Sequence, residues 1–190
     1  MSLKEKYFTF GKVIPGLTID GQDAPYPVMN DREVRAIAGI MFVFGIVAFS
    51  FAFFQQNFLP LKVVVVLFFL DFSWRVFFGI TLSPIAILAR ILIRGQKPEW
   101  VGAVQKRFAW SIGVALSSLM ILLLFIFDVR GPINLTVCLI CLTFMWLETS
   151  FGICVGCKIY YGLIRASILK EPDYRPACPG GVCTINKPKN

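Results

Sequence analysis

Long apolar stretches alternate with short polar segments along this chain. Two of them, residues 36–54 and 108–127, carry no charged side chain, and a third, residues 131–157, carries only Glu148. Each is long enough for the roughly 20 residues that a membrane-spanning helix needs. These three stretches therefore predict three transmembrane helices.

A fourth apolar stretch, residues 63–82, is interrupted only by Asp71 and Arg75. It matches the others in length, so we expect it to cross the membrane as well. The predicted fold class is all-α, a polytopic membrane protein with four transmembrane helices in a bundle. The predicted spans are about 36–56, 61–82, 107–127 and 132–157.

The segment SPIAILARILIRG after the second span predicts a further helix near 84–94. Ser83 is suited to the N-cap and Pro84 to the first helical position, where a missing N–H costs nothing. Apolar residues then form one stripe while Arg90 and Arg94 repeat at four residues on another side, a pattern typical of a helix lying in the membrane interface. A straight extension of the second span is the alternative.

Composition and charge support the membrane assignment and suggest an orientation. The chain is 57% hydrophobic and only 16% charged, with a mean hydropathy of +0.73, whereas soluble domains have about 25% charged residues. Of the nineteen Lys and Arg residues, sixteen lie before the first span, between the second and third, or after the fourth. Cytoplasmic loops collect these residues, so both termini and the middle loop are predicted to be cytoplasmic.

The same charge distribution bears on domains and partners. We expect a cytoplasmic N-terminal segment (1–33), a four-span membrane domain (34–165) and a cytoplasmic tail with two cysteines (166–190). The net charge of +8 fits contact with the anionic headgroups of a lipid bilayer. No nucleic-acid partner is expected, because no basic stripe with interleaved aromatics forms a separate domain. The sequence leaves room for an oligomer.

Six cysteines form three close pairs in the last third of the chain. The pairs are Cys138 and Cys141, Cys154 and Cys157, and Cys178 and Cys183. Residues three apart on a helix have Cβ atoms about 5–6 Å apart, whereas a disulfide needs about 3.5–4.5 Å. A helical Cys-x-x-Cys pair is therefore near bonding range and needs a small distortion to close.

Cys154 and Cys157 are the pair for which we expect chemistry, as a redox-active or sulfur-carrying dithiol. At about 1.5 Å per residue, Cys154 would lie at the cytoplasmic boundary of the membrane, accessible to water, and Lys158 would favour the thiolate. Cytoplasmic thiols rest reduced, which argues against a structural disulfide. Packing is the alternative, because Gly152-x-x-x-Gly156 is also the small-residue spacing of closely packed helices.

The other four cysteines are secondary candidates. Cys138 and Cys141 fit a packing role, since cysteine is a small apolar filler. Cys178 and Cys183 could exchange with the dithiol. Alternatively, they could join Cys154 and Cys157 in a zinc or iron–sulfur site. Such a site would be built from thiolates alone, because the chain has no histidine. No cofactor is otherwise evident.

Three charged residues lie inside the predicted spans: Asp71, Arg75 and Glu148. Charges at membrane depth are costly and usually face one another or a cavity. Asp71 stands four residues before Arg75, the favourable order for an ion pair. We expect Arg75 to lie between Asp71 and Glu148, as a structural clamp or as part of a proton or anion pathway.

Several motifs together resemble a bacterial family of four-helix membrane proteins catalogued as a domain of unknown function. They are PYPVMNDREVRA, DFSWR with SPIAILAR, KRFAWSIG and LETSFGICVGCKIY, which together cover about residues 25–165. The resemblance implies a bacterial inner (plasma) membrane location and a role for the CxGC motif of the last helix in thiol or sulfur metabolism. A thioredoxin-like or sulfurtransferase partner would suit that role.

A second resemblance concerns VCLICLTFMW, which is similar to the fourth helix of vitamin K epoxide reductase-type enzymes. It implies that Cys138 and Cys141 pass electrons to a quinone. The chain departs from that pattern because the short turn QQNFLP carries no shuttle cysteines. The favoured function is therefore thiol–disulfide exchange or sulfur transfer at the cytoplasmic face, and the alternative is a small transporter or structural membrane subunit with incidental cysteines.

Overall fold

A computed structural model describes residues 11–19 and 22–169 of the chain, which form six α-helices and four short strands. The helices are α1 (Asp31–Phe54), α2 (Leu59–Phe78), α3 (Pro84–Leu92), α4 (Ala103–Ile121), α5 (Pro132–Phe151) and α6 (Val155–Arg165). A π-helical turn, Leu122–Ile126, continues α4. The strands are β1 (Thr18–Ile19), β2 (Gln22–Asp23), β3 (Val28–Asn30) and β4 (Trp100–Gly102). The protein is mostly helical, as predicted.

Three helix starts follow directly from local sequence. The Asn30 side chain accepts a hydrogen bond from the Arg32 N–H at 3.2 Å, and the Ser83 hydroxyl accepts one from Ala86 N–H at 3.2 Å. These side chains satisfy backbone donors that the helix itself leaves unpaired. Pro132 opens α5 in its first turn. The predicted cap of α3 is confirmed.

Three helices are long and apolar enough to cross a membrane: Asp31–Phe54, Ala103–Ile126 and Pro132–Phe151. Helix α2 has a similar length but carries Lys62, Asp71 and Arg75, and it is not among the three. The membrane character is thereby supported for three of the four predicted spans.

Helix α3 is separate from α2, so the extension that we kept as an alternative is wrong. Gly79 ends α2 with a φ of +88°, a left-handed conformation that favours glycine. On α3, Ala86 and Ala89 are fully buried, whereas Ile87, Leu88, Ile91 and Leu92 are exposed. One face of α3 packs against α1, and the other presents apolar side chains outward.

The long helices pack in pairs, α1 against α5 and α2 against α4. Small residues permit close approach: a Cβ added at Gly113 would lie 2.7 Å from the Phe72 ring, and one at Gly45 would lie 2.7 Å from Leu142. Around Leu142 a hydrophobic cluster joins α1, α2, α4, α5 and the π-helical turn. Cys138 belongs to this cluster and is buried, which favours the packing role for that thiol.

The strands were missed by the all-α prediction. Strands β1 and β2 form a hairpin, and β3 pairs antiparallel with β4, which brings the segment before α1 against the segment before α4. The Asp31 N–H also donates to the Glu99 carbonyl at 2.7 Å, and the side chains of Arg32 and Glu99 form an ion pair at 2.5 Å. These contacts fix the starts of α1 and α4 side by side.

Candidate functional site

The Cys154–Cys157 pair does not lie on a continuation of the fourth predicted span. Helix α5 ends at Phe151, six residues earlier than predicted, and Gly152 caps it in a left-handed conformation with a φ of +67°. The Arg35 guanidinium packs onto the space that a side chain at position 152 would need. Gly152 is thus a helix terminator, and the predicted span 132–157 is wrong beyond residue 151.

Cys154 is the N-cap of a new helix, α6. Its sulfur accepts a hydrogen bond from the Cys157 backbone N–H at 3.3 Å and from the Cys157 thiol at 2.7 Å. Both cysteines are free thiols, and their sulfurs are closer than a van der Waals contact but well outside the disulfide bond length of about 2.05 Å. The N-terminal end of a helix, where N–H groups point at the sulfur, favours a thiolate.

The dithiol is buried, contrary to the expectation that it is open to water. Cys154 is 5% exposed and Cys157 is 1% exposed. The pKa of the Cys157 thiol is raised, first because the thiol donates a hydrogen bond to Cys154 and then because it is buried; Lys106 acts in the opposite direction. Ionisation of the Cys157 thiol is therefore disfavoured.

A buried lysine stands beside the dithiol. Lys106, in the first turn of α4, is 1% exposed, and its Nζ lies 2.8 Å from Asp31 Oδ1 and 2.7 Å from Glu148 Oε1. Asp31 also pairs with Arg35, whose Nε lies 3.0 Å from Asp31 Oδ2. We call Asp31, Arg35, Lys106 and Glu148 the charged cluster.

The predicted clamp around Arg75 forms on one side only. Arg75 makes the expected ion pair with Asp71 on the same helix, and Ser83 donates to the other Asp71 oxygen at 2.5 Å. Glu148 instead pairs with Lys106. The guanidinium of Arg75 lies over two aromatic rings. Its Cζ atom is 4.6 Å from the centroid of the Phe72 ring and 5.1 Å from that of the Trp110 ring. Aromatic faces and one carboxylate, rather than two carboxylates, surround this buried cation.

A cavity of about 130 Å³ connects the two cysteine pairs. Its lining is mostly apolar, and it includes five of the residues singled out from the sequence: Arg75, Cys138, Cys141, Glu148 and Cys154. Asp71 and Cys157 are close to it through their partners Arg75 and Cys154. The cavity therefore borders Cys154 and the Cys138–Cys141 pair from within the helices.

The tail cysteines Cys178 and Cys183 lie outside the described residues. Among the residues that the structure does describe, no group of three or more His, Cys, Asp or Glu side chains could hold a metal ion. The four-thiolate site that would include the tail therefore stays a prediction.

The profile of one protein family, described as a domain of unknown function (DUF4395), matches residues 29–165. The chain belongs to the DUF4395 family. The match begins one residue before the N-cap of α1 and ends at the last residue of α6, so the charged cluster and the dithiol both belong to the DUF4395 region. No curated protein and no solved structure matches the chain.

Sequence reasoning missed Lys106 and Asp31 as parts of the site in this DUF4395 protein. Lys106 lies in the predicted middle loop, whose cations indicate the orientation, and Asp31 is not among the candidates from the sequence. The cation expected to favour the thiolate, Lys158, is exposed. One signal was available: Lys106 stands at the start of the third span, where a cation in the first turn of a helix lies against the positive end of the dipole and needs carboxylate partners.

Proposed function

We propose that this protein is a membrane thiol–disulfide exchange protein whose reactive pair is Cys154 and Cys157. The observation that carries the proposal is the geometry of the pair: two free sulfurs 2.7 Å apart, with the first at the N-cap of a helix. A pair of this kind can close to a disulfide and reopen with little movement of the backbone. A pair retained for packing alone has no need of a hydrogen bond from one thiol to the other.

The geometry supports a two-step reaction. The Cys154 thiolate attacks one sulfur of a substrate disulfide, which forms a mixed disulfide and releases the first substrate thiolate. Cys157 then loses its proton and attacks Cys154 Sγ, which closes the Cys154–Cys157 disulfide and releases the second substrate thiolate. The two departing thiolates take up the two protons, so the substrate disulfide is reduced by two electrons and the protein dithiol is oxidised by two.

The finer membrane arrangement belongs to the same proposal. Helix α2 would be the fourth span, because Val63, Leu67, Leu70 and Phe77 are each more than half exposed along its outer face and suit contact with lipid tails. The two inner charges would be tolerated because Asp71 and Arg75 pair within the helices. With both termini and the middle loop in the cytoplasm of a bacterial inner membrane, the dithiol would serve a cytoplasmic thioredoxin-like or sulfurtransferase partner.

A redox titration in native membranes tests the proposal. Membranes are equilibrated in a series of glutathione or dithiothreitol buffers, quenched with acid and labelled under denaturing conditions with a maleimide of added mass. The acid protonates thiolates and so stops further exchange, and denaturing conditions are required for labelling because both thiols are buried. The variant Cys138→Ala/Cys141→Ala/Cys178→Ala/Cys183→Ala is expected to shift cooperatively between two labels and none.

Two matched variants decide the interpretation. In that background, Cys154→Ser and Cys157→Ser should each leave a single thiol that is labelled at every reducing potential. A pair that stays reduced across the whole series would contradict the proposal. Zinc or iron that co-purifies with the wild type and is lost equally in Cys154→Ser and Cys178→Ser would favour the four-thiolate site instead.

A further inference from the structure

Lys106 has no part in the exchange reaction as described, yet its position is unusual. A lysine that is 1% exposed loses its hydration, and the two carboxylates at 2.7 and 2.8 Å compensate for this loss. An apolar residue would serve the packing of α4 without this cost. The arrangement suggests that the positive charge itself is needed at this place.

The packing of α6 against α4 places the dithiol next to this charge. Gly156, between the two cysteines, touches α4 so closely that an added Cβ would lie 2.5 Å from the Ala109 Cβ. Ala109 is three residues after Lys106, on the same side of α4. Lys106 accordingly interacts electrostatically with both Cys154 and Cys157.

The other charges around the dithiol are largely balanced. The titratable groups on the surrounding elements are Asp31 and Arg35 on α1, Arg75 on α2, Lys106 and Arg107 on α4, Glu148 on α5, and Lys158 and Tyr160 on α6. Arg75 lines the same cavity as Cys154 but pairs with Asp71 on its own helix. Arg107 and Lys158 are exposed, so solvent screens them. Within the charged cluster two cations meet two carboxylates, and without Lys106 a thiolate would face Asp31 and Glu148 with only Arg35 in compensation.

We propose, on the basis of the proposed function, that Lys106 is a positioning residue that stabilises the Cys154 thiolate, and that Asp31 and Glu148 hold its ammonium group against the dithiol. Asp31 and Glu148 come from the first and last turns of different helices, so the ammonium is fixed from two sides. Glu148 has a second effect of opposite sign, because its own charge opposes ionisation of the Cys157 thiol.

The pH dependence of alkylation tests this inference. The full chain with only Cys154 and Cys157 retained is reduced in detergent, and its reaction rate with iodoacetamide is measured over a pH series. An opposite charge within about 4–6 Å shifts a pKa by about 1–3 units, so Lys106→Met should raise the midpoint by about that amount and slow alkylation at neutral pH by roughly tenfold or more. Lys106→Arg, which keeps the charge, should restore most of the rate.

Three further variants keep the test decisive. Glu148→Gln removes a charge that opposes the thiolate but also one of the two carboxylates that hold Lys106, so it serves as the reference for the double variant Lys106→Met/Glu148→Gln. The double variant removes both partners of the ion pair, which is less disruptive than removing one, and its midpoint should lie above that of Glu148→Gln. Lys158→Met removes an exposed cation next to Cys157 in the sequence, which solvent screens, and should leave the midpoint nearly unchanged.

The outcomes separate the two proposals. A dithiol that cycles in the redox titration, but whose alkylation midpoint is the same in wild type and Lys106→Met and the same in Glu148→Gln and the double variant, would overturn the role of Lys106 and leave the proposed function standing. A dithiol that never cycles would overturn the proposed function whatever the midpoints are. A midpoint shift as large in Lys158→Met as in Lys106→Met would also overturn the inference, because it would show a general effect of removing a nearby cation.

Discussion

Gly156 offers a quantitative test of how α6 is held against α4. A methyl group at this position would lie 2.5 Å from the Ala109 Cβ and 2.6 Å from the Ala109 Cα, whereas carbon atoms in contact are normally about 3.5–4.0 Å apart. The variant Gly156→Ala therefore requires the two helices to separate by on the order of 1 Å. Overpacking of this kind typically costs about 1–3 kcal/mol.

The same helix contains a matched control. A Cβ added at Gly162 meets nothing within 4 Å, so Gly162→Ala should stabilise the protein, by up to about 1 kcal/mol, through helix propensity alone. The variants should therefore differ by about 1–3 kcal/mol in the free energy of unfolding, with Gly156→Ala the less stable. Equilibrium unfolding in mixed detergent micelles measures this difference.

A second substitution refines the result. Ala109→Gly removes the Cβ–Cβ contact but leaves the contact with the Ala109 Cα, so the double variant Gly156→Ala/Ala109→Gly should recover only part of the loss. Separation of the helices also moves the dithiol away from Lys106, so Gly156→Ala should raise the alkylation midpoint. Equal stabilisation by Gly156→Ala and Gly162→Ala would refute the close packing of these helices.

Two further predictions concern the membrane domain. Asp71→Leu and Arg75→Leu should each lower the free energy of unfolding by about 3–5 kcal/mol, because each leaves a buried charge unpaired. The double variant should recover much of this loss. Strictly additive losses would contradict the pairing. In a cysteine-free chain in intact cells, an impermeant maleimide should label Asn57→Cys but not Gln96→Cys. Labelling of Gln96→Cys from outside would contradict the membrane orientation that the distribution of Lys and Arg predicts.

The helices were predictable because their signals are local. Apolar runs of about 20 residues and the cap at Ser83 place the helix starts to within a few residues of those observed. The break at Gly152 was not predictable in the same way, because Gly152-x-x-x-Gly156 also fits a continuous packed helix. The contact between Gly152 and Arg35 of another helix is tertiary, and the local pattern does not contain it.

The site was predictable only in its cysteines. The spacing of Cys154 and Cys157 pointed to a dithiol, but its burial depends on how α6 folds back against α4. The partner of Glu148 was predicted as Arg75, since both had the right depth, and the structure pairs Glu148 with Lys106. Depth along a helix is encoded in sequence position, whereas the direction a residue faces depends on how neighbouring helices are rotated and packed.

The pairing of β3 with β4 has a consequence for biosynthesis. Asn30 and Asp31 are held by backbone and side-chain hydrogen bonds to Glu99, and Asp31 reaches its lysine only when α4 has begun. These contacts cannot form until the segment that contains Glu99 and Lys106 has left the ribosome. The start of α1 is therefore anchored only after both α1 and α2 have been synthesised.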